Sequence, residues 1–129
     1  MTNFKAGFAQ IEWTPAPGLN LLGQMHERIA THARDPLCTC AAVFQTEAAT
    51  LAIVTLDVGL LDNDFAETVQ RMWADASGFT PESLMVHCTH THVAPNLKVQ
   101  YGVTFPVLCV RIAKFATNGL GIDVWRVIG

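Results

Sequence analysis

Apolar and polar positions along this chain mark out four extended segments and one helix. From Phe4 to Trp13 apolar residues partly alternate with polar ones, and the run stops at Thr14-Pro15-Ala16-Pro17-Gly18. Prolines and glycine at that point end a strand and begin a loop. Leu37 to Gln45 and Thr50 to Val58 are apolar runs joined by Thr46-Glu47-Ala48-Ala49, the pattern of an antiparallel hairpin. The second run is nearly uniformly apolar, which predicts a central strand. Next, Asp62-Asn63-Asp64 opens a helix, and Asp64 with Glu67 has the form of a capping box with aspartate as the cap. Phe65, Val69, Met72, Trp73 and Ala76 share one face of that helix, while Glu67, Gln70, Arg71 and Asp75 face outward. Gly78 is placed to end it. Thr80-Pro81-Glu82-Ser83 forms a turn before a short buried strand, Leu84 to Cys88.

Strand, helix and strand in that order imply a right-handed crossover between parallel strands. The expected fold is therefore α/β: a mixed sheet with a β-hairpin and a right-handed βαβ crossover, forming part of a larger layered α/β domain. One segment fits no period. Leu19 to Pro36 is irregular and holds His26, Glu27, Arg28, His32, Arg34 and Asp35. A loop of that length is uncommon in a compact domain unless it has a task, so it is marked as binding surface.

Composition narrows the functional classes. The chain has 129 residues, about one domain, and half of them are hydrophobic, which argues against disorder. Its 8 basic and 11 acidic residues leave a net charge of −3, with no basic cluster interleaved with aromatics, so no nucleic-acid partner is expected. No transmembrane segment is expected either, because the longest apolar run, Leu51 to Leu61, is broken by Asp57. The first residues lack the pattern of a signal peptide. Of the four cysteines, Cys38 and Cys40 are too close in sequence to bridge comfortably, and nothing marks a secreted disulfide framework. The expectation is reduced thiols and a cytoplasmic location. Cys38 and Cys40, two apart on a strand, are expected to share the core face.

Candidate chemistry gathers at one end of the sheet. In open α/β sheets ligands lie beyond the carboxyl ends of the strands. Asp57 closes one parallel strand, and Cys88-Thr89-His90-Thr91-His92 closes the other. If 86–92 stays extended, Cys88, His90 and His92 point to one face, and His87, Thr89 and Thr91 to the other. Two imidazoles on one face reach a single metal, or one binds while the other orients water, and zinc suits imidazole. The competing account of His90 and His92 is plain hydrogen bonding at a strand end. His87, on the opposite face, reads as a core or helix-packing histidine. Cys88 beside His90 reads either as a nucleophile with its base or as inert packing. Asp57 reads either as a carboxylate orienting a ligating histidine or as a turn aspartate satisfied by backbone. His26 and His32 are expected to be solvated, with contact to a ligand as the rival account.

The ordered landmarks resemble a known family. Phe4-Lys5-Ala6-Gly7-Phe8-Ala9-Gln10-Ile11-Glu12-Trp13-Thr14-Pro15, then Pro17-Gly18 and Gly23, is similar to the opening of neutral/alkaline non-lysosomal ceramidases and their bacterial relatives. Asp35-Pro36-Leu37 resembles their next landmark, Leu51 to Asp57 the strand after it, and Thr89-His90-Thr91-His92 with Pro95 their metal motif. Val93-Ala94 stands where members carry Ser-Gly or similar small residues. The resemblance implies a zinc (Zn2+) amidase that cleaves the N-acyl bond of a ceramide-like, lipid-like substrate. It implies His90 as metal ligand and His92 as the active-site neighbour that shapes the site or contacts substrate. The family's further zinc ligands and serine nucleophile lie downstream of the match. This predicts that 1–102 is a partial N-terminal hydrolase domain, inactive without the missing downstream part of the same protein. Residues 103–129, which match nothing in the family, are expected to be a tail from truncation or a frame shift. Two rival functions are a stand-alone binding module using the long loop, and a hydrolase with Cys88 as nucleophile.

Overall fold

A computed structural model of the protein describes residues 4–96. The expectation for 103–129 lies outside the described residues. Four strands, β1 (Lys5–Glu12), β2 (Cys38–Gln45), β3 (Thr50–Leu56) and β4 (Leu84–Cys88), form one sheet in the order β1-β2-β3-β4. β2 runs antiparallel to β1 on one side and β3 on the other, and β4 joins β3 in parallel, with Val54 opposite Val86 and Leu56 opposite Cys88. The expected hairpin is thus β2–β3, and β3 lies inside the sheet. Helix α1 (Asn63–Ser77) connects the parallel pair, followed by a 3-10 turn at Pro81–Ser83.

The helix begins one turn-fragment earlier than its capping pattern suggests. Asp62, not Asp64, is the N-cap: it is extended, and its Oδ1 accepts from the Phe65 amide at 2.8 Å. Asp64 sits inside the first turn, where its charge meets the positive end of the helix dipole. At the other end Gly78 adopts a left-handed φ of 77° and donates its amide to the Ala74 carbonyl at 2.9 Å. Val69 and Trp73 are fully buried against the sheet, and Phe65 and Met72 pack beside them. The Trp73 indole nitrogen keeps a partner there, the Ser83 hydroxyl at 2.8 Å.

The sheet has one covered face. Thr39, Ala41, Val43, Ala52, Val54, Leu56 and Leu84 point toward the helix and are buried. Their neighbours point the other way, and there Phe8 and Met85 are half exposed. Two expectations are corrected by this alternation. Cys38 and Cys40 lie on the open face, because Thr39 between them takes the core position. His87 is no core residue: paired opposite Thr55, it is exposed on the open face and bonded to the Thr55 hydroxyl at 2.6 Å. No helix among the described residues is long and apolar enough to cross a membrane.

Candidate functional site

The long loop is not irregular throughout. Asn20 pairs antiparallel with Ile29, the Leu21 amide donates to the Arg28 carbonyl at 2.8 Å, and the Ala30 amide to the Leu19 carbonyl at 2.9 Å. Residues 18–30 therefore form a tongue, with Gln24 to Glu27 exposed at its tip. The tongue lies across the segment that follows β4. Leu21 bridges to Pro95, the Leu22 amide donates to the Ala94 carbonyl at 2.9 Å, and the Arg28 guanidinium donates to the His92 carbonyl.

Beyond Cys88 the chain leaves the extended conformation. His90 takes a φ of 59°, uncommon for a residue with a Cβ. Such a residue costs on the order of 1–3 kcal/mol and persists only where its surroundings hold it; such residues concentrate at functional sites. The alternation argument for 86–92 therefore fails after Cys88. The two rings nevertheless meet. His90 Nε2 and His92 Nε2 are 3.3 Å apart, and the ring centroids 4.8 Å apart in an edge-on arrangement. Backbone bending, not strand alternation, brings them together.

The tautomer of His90 follows from its partner. Its Nδ1 lies 2.5 Å from the Gly59 carbonyl oxygen, which only accepts, so Nδ1 carries the proton and Nε2 keeps its lone pair. This is the arrangement in which a metal-binding imidazole is oriented by a carbonyl on its other nitrogen. Asp57 does not perform that task. Its Oδ2 accepts from the Cys38 amide at 2.8 Å and its Oδ1 from the Thr89 hydroxyl at 3.1 Å. Of the two readings of Asp57, the aspartate satisfied in part by backbone is the one observed, and the carbonyl that orients the His90 imidazole is that of Gly59.

Do these residues fit zinc? Two imidazoles bound to one tetrahedral zinc, with bonds of roughly 2.0–2.1 Å, hold their nitrogens about 3.3 Å apart. The observed 3.3 Å matches that edge. A catalytic site needs about three protein donors. Among the described residues no group of three or more His, Cys, Asp or Glu side chains converges. The described residues thus bring two imidazole nitrogens to a spacing that zinc would accept, and no third such side chain joins them.

The remaining candidates separate cleanly. Cys88 is half-buried and packs against the core, with its Sγ 3.8 Å from the Gly59 oxygen. The free lone pair of His90 is turned to His92, not to this thiol. Cys38 and Cys40 pair with Gln10, and burial first, then neighbouring negative charge, pushes both thiols up from their ordinary range. For Cys38 that charge comes from Asp57 and Glu12. His26 is exposed at the tongue tip, as expected.

A cleft of about 560 Å³ opens between the long loop and the strand ends, with Leu19, Leu21, Pro36 and Val93 in its lining beside Asp57 and Thr91. His32 and Arg34 also line it, whereas the His90 and His92 rings do not: they turn toward Gly59 and Gly23. Sequence reasoning marked the loop as binding surface but missed its Gly23 and Arg28 as supports of the motif. A glycine and an arginine in an aperiodic stretch carry no pattern that points to a histidine some seventy residues on.

The described residues form a mixed sheet with one helix on its covered face and two imidazoles paired beyond the end of β4. No protein-family model matches the sequence, and no curated protein matches it. Among solved structures, the neutral ceramidase of Pseudomonas aeruginosa shares the fold with a TM-score of 0.76 at 19% identity, covering 92% of this chain and 22% of that one. A ceramidase complexed with C2 gives a TM-score of 0.75 at 17% identity, with the same coverage of both chains. The protein spans about a fifth of the length of these ceramidases. The resemblance read from the ordered landmarks thus holds at the level of fold.

Proposed function

We propose that this chain is a piece of a zinc-dependent hydrolase that cleaves a linear, ceramide-like N-acyl amide, and that it is inactive by itself. The observation that carries the reading is the 3.3 Å separation of two imidazole nitrogens, with His90 Nδ1 committed to the Gly59 carbonyl. Likeness of fold to ceramidases supports the substrate class. His90 offers its Nε2 lone pair as ligand. His92 stands beside it, within reach of the same metal or of water on it. When bound, zinc polarises the amide carbonyl and lowers the pKa of a coordinated water. Thr89, held by Asp57, fixes the backbone from which His90 projects. In this reading the further donors and the nucleophile come from outside the described residues.

The test is the metal content of purified protein after equilibration with zinc, alongside His90→Ala and His92→Ala. Loss of zinc in His90→Ala supports the assignment, and equal zinc in both proteins overturns it. Zinc retained in His92→Ala makes His92 a neighbour; zinc lost makes it a second donor.

A further inference from the structure

We infer that Gly23, at the turn of the tongue, is a positioning residue for His92: its missing side chain is the space that the imidazole occupies. The inference deepens the metal-site reading and rests on it for its functional meaning. A Cβ placed on Gly23 would lie 2.5 Å from His92 Cγ, 2.8 Å from Cδ2 and 2.9 Å from Cβ. Those distances are shorter than side-chain contacts in folded proteins allow, and none of the three ring or Cβ atoms is the free end of a flexible side chain. Gly23 also has a φ of 101°, a conformation that L side chains rarely adopt.

The contact is not isolated. The Arg28 guanidinium holds the His92 carbonyl from the other limb of the tongue, and Leu22 anchors Ala94 two residues later. Backbone and ring of His92 are therefore gripped by one element, the two limbs of the tongue. His90 is fixed separately, by Gly59. Two supports, Gly59 for His90 and the tongue for His92, thus set one nitrogen–nitrogen distance. A side chain at Gly23 pushes the His92 ring away and opens that distance while leaving His90 in place.

The molecule supplies its own control. Gly18, at the base of the same tongue, has a φ of 104°, yet a Cβ there meets nothing within 4 Å. Gly18→Ala carries the same backbone penalty without the ring clash. The experiment compares Gly23→Ala, Gly18→Ala and the parent chain, full length, in two measurements. In the metal-free protein, nuclear Overhauser contacts between the His90 and His92 ring protons report the pairing. Zinc titration then reports affinity. Expected is loss of the ring contact and at least a tenfold weaker zinc affinity in Gly23→Ala, with both retained in Gly18→Ala. Equal behaviour of the two variants in the ring contact overturns the inference. If Gly23→Ala does not fold, the Gly23→Ala/His92→Gly double variant, which removes the clashing atoms, is expected to fold again; failure to do so also overturns it. Should the parent chain bind no zinc, the metal reading fails while the ring contact still decides the role of Gly23.

Discussion

The helix-covered half of the sheet and the segment from Thr89 to Asn96 are held by different forces. In the first, Trp73, Leu56, Leu84 and the valines at 43, 54 and 69 are wholly buried, and the Trp73 indole donates to the Ser83 hydroxyl. In the second, little apolar surface is buried beyond Ala94 and Pro95. Order there comes from single interactions: Asp57 on Thr89, Gly59 on His90, Arg28 and Gly23 on His92. Burial is collective and tolerant, because a core filled with the right volume survives several exchanges. Polar fixation is specific and brittle, because each group has one partner. The stable half thus provides a platform, and geometry at the imidazoles is set by a few contacts.

Substitutions sharpen that contrast, in descending order of effect. Trp73→Ala removes the largest core side chain and is expected to cost about 3–5 kcal/mol in urea unfolding, enough to unfold much of the population. Asp57→Ala strips acceptors from the Cys38 amide and the Thr89 hydroxyl; a loss of about 1–3 kcal/mol is expected, together with weaker zinc binding. A variant that loses stability while zinc affinity stays intact breaks the link between Asp57 and the motif. Asp62→Ala deletes the helix cap and should lower stability by about 1 kcal/mol without touching zinc affinity. Ile53→Thr, on the open face, should stay within about 0.5 kcal/mol of the parent in the same urea titration.

The raised thiols add a pH arm to the comparison. Cys38 and Cys40 ionise less readily folded than unfolded, so their contribution to stability is whole below the ordinary thiol pKa and fades as pH climbs through and above it. At pH 8, alkylation of both is expected to run slower in native protein than in urea, by mass-spectrometric mapping. Equal rates would show that neither burial nor the carboxylates restrain them.

The same contrast explains what the sequence discloses. Elements held by burial leave a periodic trace: β2 and β3, the helix face of Phe65, Val69, Met72 and Trp73, and its stop at Gly78 are all readable from it. The trace does not say which face of a strand is covered, so Cys38 and Cys40 went to the wrong side, where Thr39 took the core position. It is equally silent on hinges. His90 and His92 were identified as a pair through an assumed extended backbone, yet the pairing arises from a left-handed residue at His90. Asp64 looked like the cap because its spacing to Glu67 is right, but Asp62 reaches the Phe65 amide first. The tongue, held by one bridge between Asn20 and Ile29 and a few backbone bonds, left no apolar period to read.

The bond from Arg28 to His92 closes a stretch of 64 residues, and it bears on the order of folding events. Loop-closure entropy delays contacts between residues far apart in sequence until nearer ones have formed. The hairpin of β2 and β3 needs only a short connection, whereas β4 waits for the helix to bring it back beside β3. The tongue grips last, once both partners are in place. By that ordering the scaffold of sheet and helix forms early, and the two imidazoles come together only at the end.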